Sequence, residues 1–328
     1  MKKIVNIGMG LVAVSALTFG LTGCGGGSGS SSPSSGTGLS FPTNAVAAEP
    51  TIANGAAVQE VVVSNPSAMA PMIASVSSEK VNLVLLTDNL AAKISKNIKD
   101  ANLNSYALNE TVNMTENCPA GGTYTVAGSG SQGGDISLTM TYNHCDFGGG
   151  VVANGKASVS ETDYDATADA YRNVSISFLS DFTETVSSMT VTIANGSTMS
   201  ETVASFDIYG SPSVYTYAIS YIVSMGNIRY GLKDCVFHMT SDSSTSSNSY
   251  YQTQGRIYIN NLTSYVDYDI SYDMSATPFV YNYSTLESGE GHYIMANNAK
   301  LKIVVESGAP VIYIDTNNDG TYDLNNSI

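Results

Sequence analysis

Tryptophan is absent from the 328 residues, and Lys and Arg together number only 13 against 28 Asp and Glu. The formal charge is −15, which excludes a nucleic-acid surface, because such binding is driven by cationic side chains displacing counterions from phosphates. The same deficit argues against electrostatic adhesion to anionic lipid. It leaves room for cations and basic partners, although an acidic surface that merely stays in water has the same composition. Charged residues make up 12% of the chain, against about 25% in ordinary soluble domains. Ser, Thr, Asn and Tyr fill the gap, which suits an exported β-protein with hydroxyl-rich outer faces.

Catalytic signatures are missing too. There is no G-x-S-x-G elbow, no H-E-x-x-H, no C-x-x-C and no Walker phosphate loop. Gly128-Ser129-Gly130-Ser131-Gln132-Gly133 fits G-x-G-x-x-G, but it leads into the strand-like Asp135-Ile136-Ser137-Leu138. A dinucleotide site needs a helix N-terminus at that point, so the segment is read as a hairpin loop. His144 beside Cys145, and Cys235 with His238, fall on opposite faces of a strand, which speaks against a thiol–imidazole pair and against a zinc site. The carboxylate pairs Asp163/Asp165 and Asp267/Asp269 are what a wet strand face produces by alternation. No enzymatic activity is expected.

What the chain does contain begins with an address. Lys2 and Lys3 precede an apolar stretch, Ile4 to Gly20, too short and glycine-rich for a membrane-spanning helix, which needs about 20 apolar residues. Leu21-Thr22-Gly23-Cys24 follows, and it resembles the lipobox of bacterial lipoproteins. The resemblance implies cleavage before Cys24, a diacylglyceryl group on its thiol and usually an acyl chain on its amine. Two or more chains, at about 0.8 kcal/mol per buried CH₂, anchor firmly. Gly25 rather than Asp follows the cysteine, which by the same resemblance implies the outer membrane, facing the periplasm or the surface. In residues 25–40, 13 of 16 are Gly or Ser. Such a coil spans roughly 20–24 Å and serves as a tether. Without the first 23 residues, Lys2 and Lys3 are gone, leaving 11 basic against 28 acidic side chains.

The rest, 41–328, reads as a single β-rich domain. Residues 41–74 have no sustained period and read as extended chain. Leu83, Leu86, Leu90, Ile94 and Ile98 then form an apolar stripe, with Lys93, Lys96 and Lys99 in the last turns, so an amphipathic helix is expected over 78–101. From Tyr124 onward the period becomes two. Val174, Ile176 and Phe178 alternate with polar residues, as do Met189, Val191 and Ile193, which run to the hairpin dipeptide Asn195-Gly196. Val266, Tyr268, Ile270, Tyr272 and Met274 predict one strand face, with Asp267, Asp269, Ser271 and Asp273 wet on the other. The expected fold is mainly β: an antiparallel meander of roughly ten to twelve strands, curved into an open sheet or a barrel, with that one N-terminal helix against it.

With Cys24 lipidated, Cys118, Cys145 and Cys235 remain in an oxidising compartment, and one is left over. The favoured pair is Cys118–Cys145, which closes a hairpin-sized loop. Cys235 lies in an apolar run and reads as a buried thiol. The chain also carries an internal echo. Tyr142-Asn143-His144-Cys145 with Ala153-Asn154-Gly155-Lys156 matches Leu232-Lys233-Asp234-Cys235 with Thr253-Gln254-Gly255-Arg256, a recurrence that need not mean duplication.

Cys118-Pro119-Ala120-Gly121-Gly122-Thr123, Asn143-His144-Cys145, Asn154-Gly155 and Asp315-Thr316-Asn317-Asn318-Asp319-Gly320 together resemble a group of uncharacterised bacterial lipoproteins. That resemblance implies exported β-structure and supports the Cys118–Cys145 link, and brings no activity. Asp315, Asn317, Asp319 and Asp323 also place oxygen ligands at positions 1, 3, 5 and 9 of a calcium-loop pattern, with Gly320 at its sharp turn. Position 12 is Asn326 where a bidentate Glu belongs, so a plain polar turn is the competing reading. The expected function is that of a membrane-tethered envelope protein, a structural module or one that contacts a protein or polymer. The alternative is a carrier of an apolar ligand, in a cavity of the curved sheet capped by the helix. Inward tyrosines around an apolar pocket favour the carrier, and an interior filled by its own side chains favours the scaffold.

Overall fold

The computed structural model describes residues 39–63, 110–130, 134–146, 151–168, 170–186, 189–208, 212–242, 247–282 and 285–327. The secretion signal, Cys24, the tether up to residue 38 and the helix expected over 78–101 lie outside them.

A helix does occur in the stretch read as extended: α1, Ile52–Val62. Thr51 caps it, its hydroxyl accepting the Asn54 N–H at 3.3 Å, and Gly55, Val58, Val61 and Val62 are buried. The helix was invisible to periodicity because Ala, Gly and Val leave it little polar face. It packs inside the sheet rather than on it. A Cβ at Gly55 would lie 2.8 Å from Ile312 Cγ2, so only glycine permits this approach. At its C-terminal end, where helix carbonyls lose their internal donors, Val62 O accepts the Tyr250 hydroxyl and Val63 O accepts that of Tyr281 at 3.4 Å.

After the short β1 (Val46–Ala47), the chain forms β2 (Glu110–Asn117), β3 (Gly121–Gly130), β4 (Ile136–Asp146) and β5 (Val151–Asp165). Next come β6 (Ala170–Phe178), β7 (Phe182–Val186), β8 (Met189–Ile193), β9 (Thr198–Phe206) and β10 (Pro212–Met225). The longest run continues with β11 (Ile228–Asp242), β12 (Ser247–Ile259) and β13 (Ser264–Tyr268). The chain closes with β14 (Phe279–Asn282), β15 (Thr285–Ser288), β16 (Glu290–Ile294), β17 (Lys300–Glu306), β18 (Ala309–Asp315) and β19 (Leu324–Ser327). Apart from β1, which runs parallel to β13, the ladders between these strands are antiparallel. They make one curved sheet, part of a ring, and the mainly-β antiparallel expectation holds.

Among the described residues there are 19 strands against the expected ten to twelve, in part because long strands are cut in the middle. β6 and β7 both run antiparallel to β5, so they are one strand interrupted at residues 179–181. β8 and β9 both pair with β10 and are likewise one strand. Asn195-Gly196 is therefore not a hairpin: the chain passes through it without reversing. The reversal lies between Val186 and Met189, which face each other. Gly196, at φ 80°, donates its N–H to Phe178 O at 2.8 Å instead, stitching this break to the one beside it.

These breaks belong to a crease that crosses the sheet. It passes Gly122 on β3, Asn143–His144 on β4 and Gly155 on β5, where the β3–β4 and β4–β5 registers shift. It crosses 179–181 and 194–197, then Ser220 on β10, Asp234 on β11 and Gly255 on β12. Beyond, it widens into the segment 269–278 between β13 and β14. Bulges bend a strand and raise its twist, so a row of them folds a sheet along a line. The internal echo in the sequence is this crease crossed twice. In each copy a positive-φ residue, His144 or Asp234, precedes a buried cysteine, and the following strand carries a positive-φ glycine.

Inside the curve, Tyr217, Tyr221, Tyr281 and Tyr293 are at most 2% exposed, packed with Phe178, Phe237, Phe279 and Met140 in one cluster with α1. The described interior positions are occupied by the chain's own side chains.

Candidate functional site

Breaking a ladder leaves backbone donors without partners, and each costs free energy if buried unpaired. Along the crease, side chains of neighbouring strands supply the acceptors. His144 N donates to Asn154 Oδ1 at 3.4 Å, and Lys156 N donates to Ser180 Oγ at 2.9 Å. Asn195 N donates to Asp181 Oδ1 at 2.9 Å, and Asp234 N donates to Ser220 Oγ at 2.9 Å. The crease thus explains why polar side chains cluster at one level of successive strands. Three of these caps surround an open hollow of about 690 Å³, lined by Asn143, Asn154, Lys156, Ser180, Asp181 and Asn195.

Where the crease widens, the chain leaves the sheet at Tyr268, although the alternating pattern continues through Met274. The reason is local. Asp269 accepts the Ser271 N–H at 3.0 Å and its hydroxyl at 2.6 Å, forming a turn, and Met274 drops back into the core. Asp269 is not wet as expected but only 5% exposed, with its other oxygen 2.7 Å from Lys300 Nζ. Burial alone would raise this carboxyl, but the Lys300 ammonium and the Ser271 donors outweigh it and hold the pKa below the ordinary value. The turn lays Tyr272 on the His292 ring, centroids 3.4 Å apart, with the Tyr272 hydroxyl donating to Glu290 Oε2 at 2.8 Å. His292 Nε2 is 3.2 Å from the same oxygen, and Lys302 Nζ is 3.4 Å from Oε1.

No family model, curated protein or solved structure matches this chain. Its chemistry has to be read from its own geometry.

Tyr272 covers the His292 imidazole face and Glu290 accepts at its Nε2, so these contacts hold the turn against β16. Burial lowers the His292 pKa despite the opposing pull of Glu290, and burial lowers that of His238 as well. Each takes up a proton more readily when unfolded, where imidazole titrates near 6.5. Stability therefore declines as pH falls below about 6.5, and a second loss follows below about 4, as the depressed carboxyls of Asp269 and Glu290 protonate. Urea midpoints measured from pH 7.5 to 3 should show both stages; His292→Gln should shrink the first, and also the part of the second that His292 supplies by holding the Glu290 carboxyl down. A single acid transition unaffected by that substitution would contradict the assignment.

Removing the other charge in this region isolates Asp269. Lys300→Met leaves a buried carboxylate with only Ser271 to satisfy it. Lone buried charges cost about 3–5 kcal/mol, and Lys300 is partly exposed, so a loss of about 2–3 kcal/mol is expected at pH 7. Asp269→Asn in the same chain should restore most of it, since an amide needs no counter-charge. Chemical denaturation of the three variants would test this.

Cys118 and Cys145 are joined, with Cα atoms 5.3 Å apart, and Cys235 is free and buried. Burial pushes the Cys235 thiol far up, and His238 lies on the opposite face, stacked on Tyr251 at 5.0 Å. His144 is likewise exposed on the face opposite the buried Cys145. Asp165 pairs with Arg172, and Asp267 makes two bonds to Arg256, at 2.7 and 2.9 Å. Of the carboxylates paired in the sequence, Asp165, Asp267 and Asp269 thus each hold a cation.

In the turn from β18 to β19, Asp315 Oδ2 accepts the Gly320 N–H at 2.8 Å and Oδ1 that of Asp319 at 3.2 Å. Asn317 Oδ1 also accepts from Asp319 N, and Asp319 Oδ1 accepts from Thr321 N. Asp323 Oδ2 turns to Thr316 and accepts both its N–H and its hydroxyl, at 2.9 and 2.6 Å. The four residues proposed from spacing are thus gathered in one turn, with these oxygens engaged within it. Among the described residues no group of three or more His, Cys, Asp or Glu is placed to hold a metal ion.

The sequence reading missed the hollow and the covered Asp269 turn. The recurring Asn-Gly, Ser-Asp and Asp-Cys interruptions inside strands were the available signal.

Proposed function

We propose that this chain is an exported lipoprotein of the cell envelope, held at the outer membrane by lipid on Cys24. The creased sheet acts as a non-catalytic scaffold that contacts another envelope macromolecule. The address rests on the ordered series Lys2-Lys3, apolar run, Leu21-Thr22-Gly23-Cys24 and the Gly/Ser tether. Among the described residues no helix is long and apolar enough to cross a membrane.

The scaffold reading is supported by one observation: among the described residues, the inward tyrosines are buried in one cluster with α1. An apolar carrier needs that space for its ligand. The test is gentle detergent extraction of the full chain, followed by native mass spectrometry. A co-purifying protein or polymer is the expected result, whereas an apolar molecule retained one-to-one would favour the carrier.

A further inference from the structure

We infer that the hollow on the crease binds a segment of a neutral glycan, an inference that rests on the scaffold reading and names the surface it uses. About 690 Å³ falls within the range of small-molecule sites, roughly 300–1,000 Å³, but the hollow is open to solvent. That shape suits a polymer segment laid across it better than an enclosed small ligand.

The lining has the chemistry that hydroxyl-rich ligands match. Asn143, Asn154 and Asn195 each carry both donors and acceptors, and sugar hydroxyls do the same. Two of the lining groups are fixed by the crease. Asn154 gives Oδ1 to the His144 N–H, leaving Nδ2 as a donor. Asp181 gives Oδ1 to the Asn195 N–H, leaving Oδ2 as an acceptor. Groups held this way by backbone bonds lose less freedom on binding than free surface side chains. Leu179, 46% exposed at the rim, offers an apolar contact for the C–H face of a sugar ring.

Charge selects within the class. Lys156 and Asp181 oppose each other in the lining, so the hollow has no excess of either sign from them. The whole chain carries −15, which repels polyanions at low salt. A neutral polyhydroxylated chain meets no such barrier.

The experiment screens the full chain, in detergent micelles, against an array of neutral hexose and N-acetylhexosamine oligosaccharides, then titrates the best binder. Asp181→Asn keeps an oxygen for the Asn195 N–H, and Leu179→Ser touches no cap, so both should fold with unchanged melting temperature. Asp181→Asn combined with Asn195→Ala should weaken binding about tenfold or more, as loss of hydrogen bonds to such groups does. Leu179→Ser should weaken it measurably, and Thr115→Ala, on β2 away from the hollow, should not. Binding that survives both hollow variants overturns the assignment. Binding to no glycan, while a protein partner co-purifies, overturns it and leaves the scaffold reading intact. An apolar molecule retained in the interior would remove both.

Discussion

Gly255→Ala should destabilise the protein by about 3–5 kcal/mol, combining left-handed backbone strain with overpacking. Gly255 has φ +115°, and a Cβ there would stand 2.4 Å from Cys235 Cα and 2.6 Å from its sulfur. The nearest obstacle is backbone, which cannot turn aside as a side-chain tip would. Gly226 is the control: its φ is +56° but a Cβ there meets nothing within 4 Å. Gly226→Ala should therefore cost only the backbone strain, about 1–2 kcal/mol. The comparison, read from urea midpoints, tests whether the crease is a built feature. Equal and small effects would mean that β11 and β12 do not meet as described.

The second large effect is expected at the crease's other end, where Cys118, just beyond β2, is tied to Cys145 after the β4 bulge. The cysteines are 27 residues apart, and closing such a loop stabilises by roughly 3–4 kcal/mol in the chain-entropy model. Cys118→Ser with Cys145→Ser should lose that amount, and the loss should match that seen when the wild-type bond is reduced. Non-reducing peptide maps should give Cys118 linked to Cys145. Iodoacetamide should leave Cys235 unlabelled until the protein is unfolded, because both burial and its raised pKa suppress the thiolate. A map with Cys235 in the bond would overturn the pairing.

Much of the fold was legible because strand alternation is a local signal. Val174, Ile176 and Phe178 are inward as the pattern requires, and the alternating Tyr215, Tyr217, Ile219, Tyr221 and Val223 of β10 are buried in the same way. What periodicity could not supply was direction. Asn195-Gly196 has the composition of a hairpin, and only the neighbouring break at 179–181 makes it a crossing point instead. Asp269 failed for a related reason. Alternation predicted water on its face, but the turn that buries it depends on Ser271 beside it and on Lys300, 31 residues away. α1 escapes the pattern because its Ala, Gly and Val residues give little contrast between the buried face, at Gly55, Val58, Val61 and Val62, and the rest. The disulfide, by contrast, followed from setting Cys24 aside for lipid, expecting the remaining three cysteines to meet an oxidising compartment, and asking which two lie near in sequence.

Under the proposed function the folded domain hangs from the membrane by lipid on Cys24. Mass spectrometry of the N-terminal peptide of the exported chain, recovered from membranes, tests it most directly. The expected chain begins at Cys24 and carries the mass of a diacylglyceryl group. Cys24→Ala should yield either uncleaved or membrane-free protein. An exported chain with an unmodified Cys24 thiol, or one cut elsewhere, would contradict it.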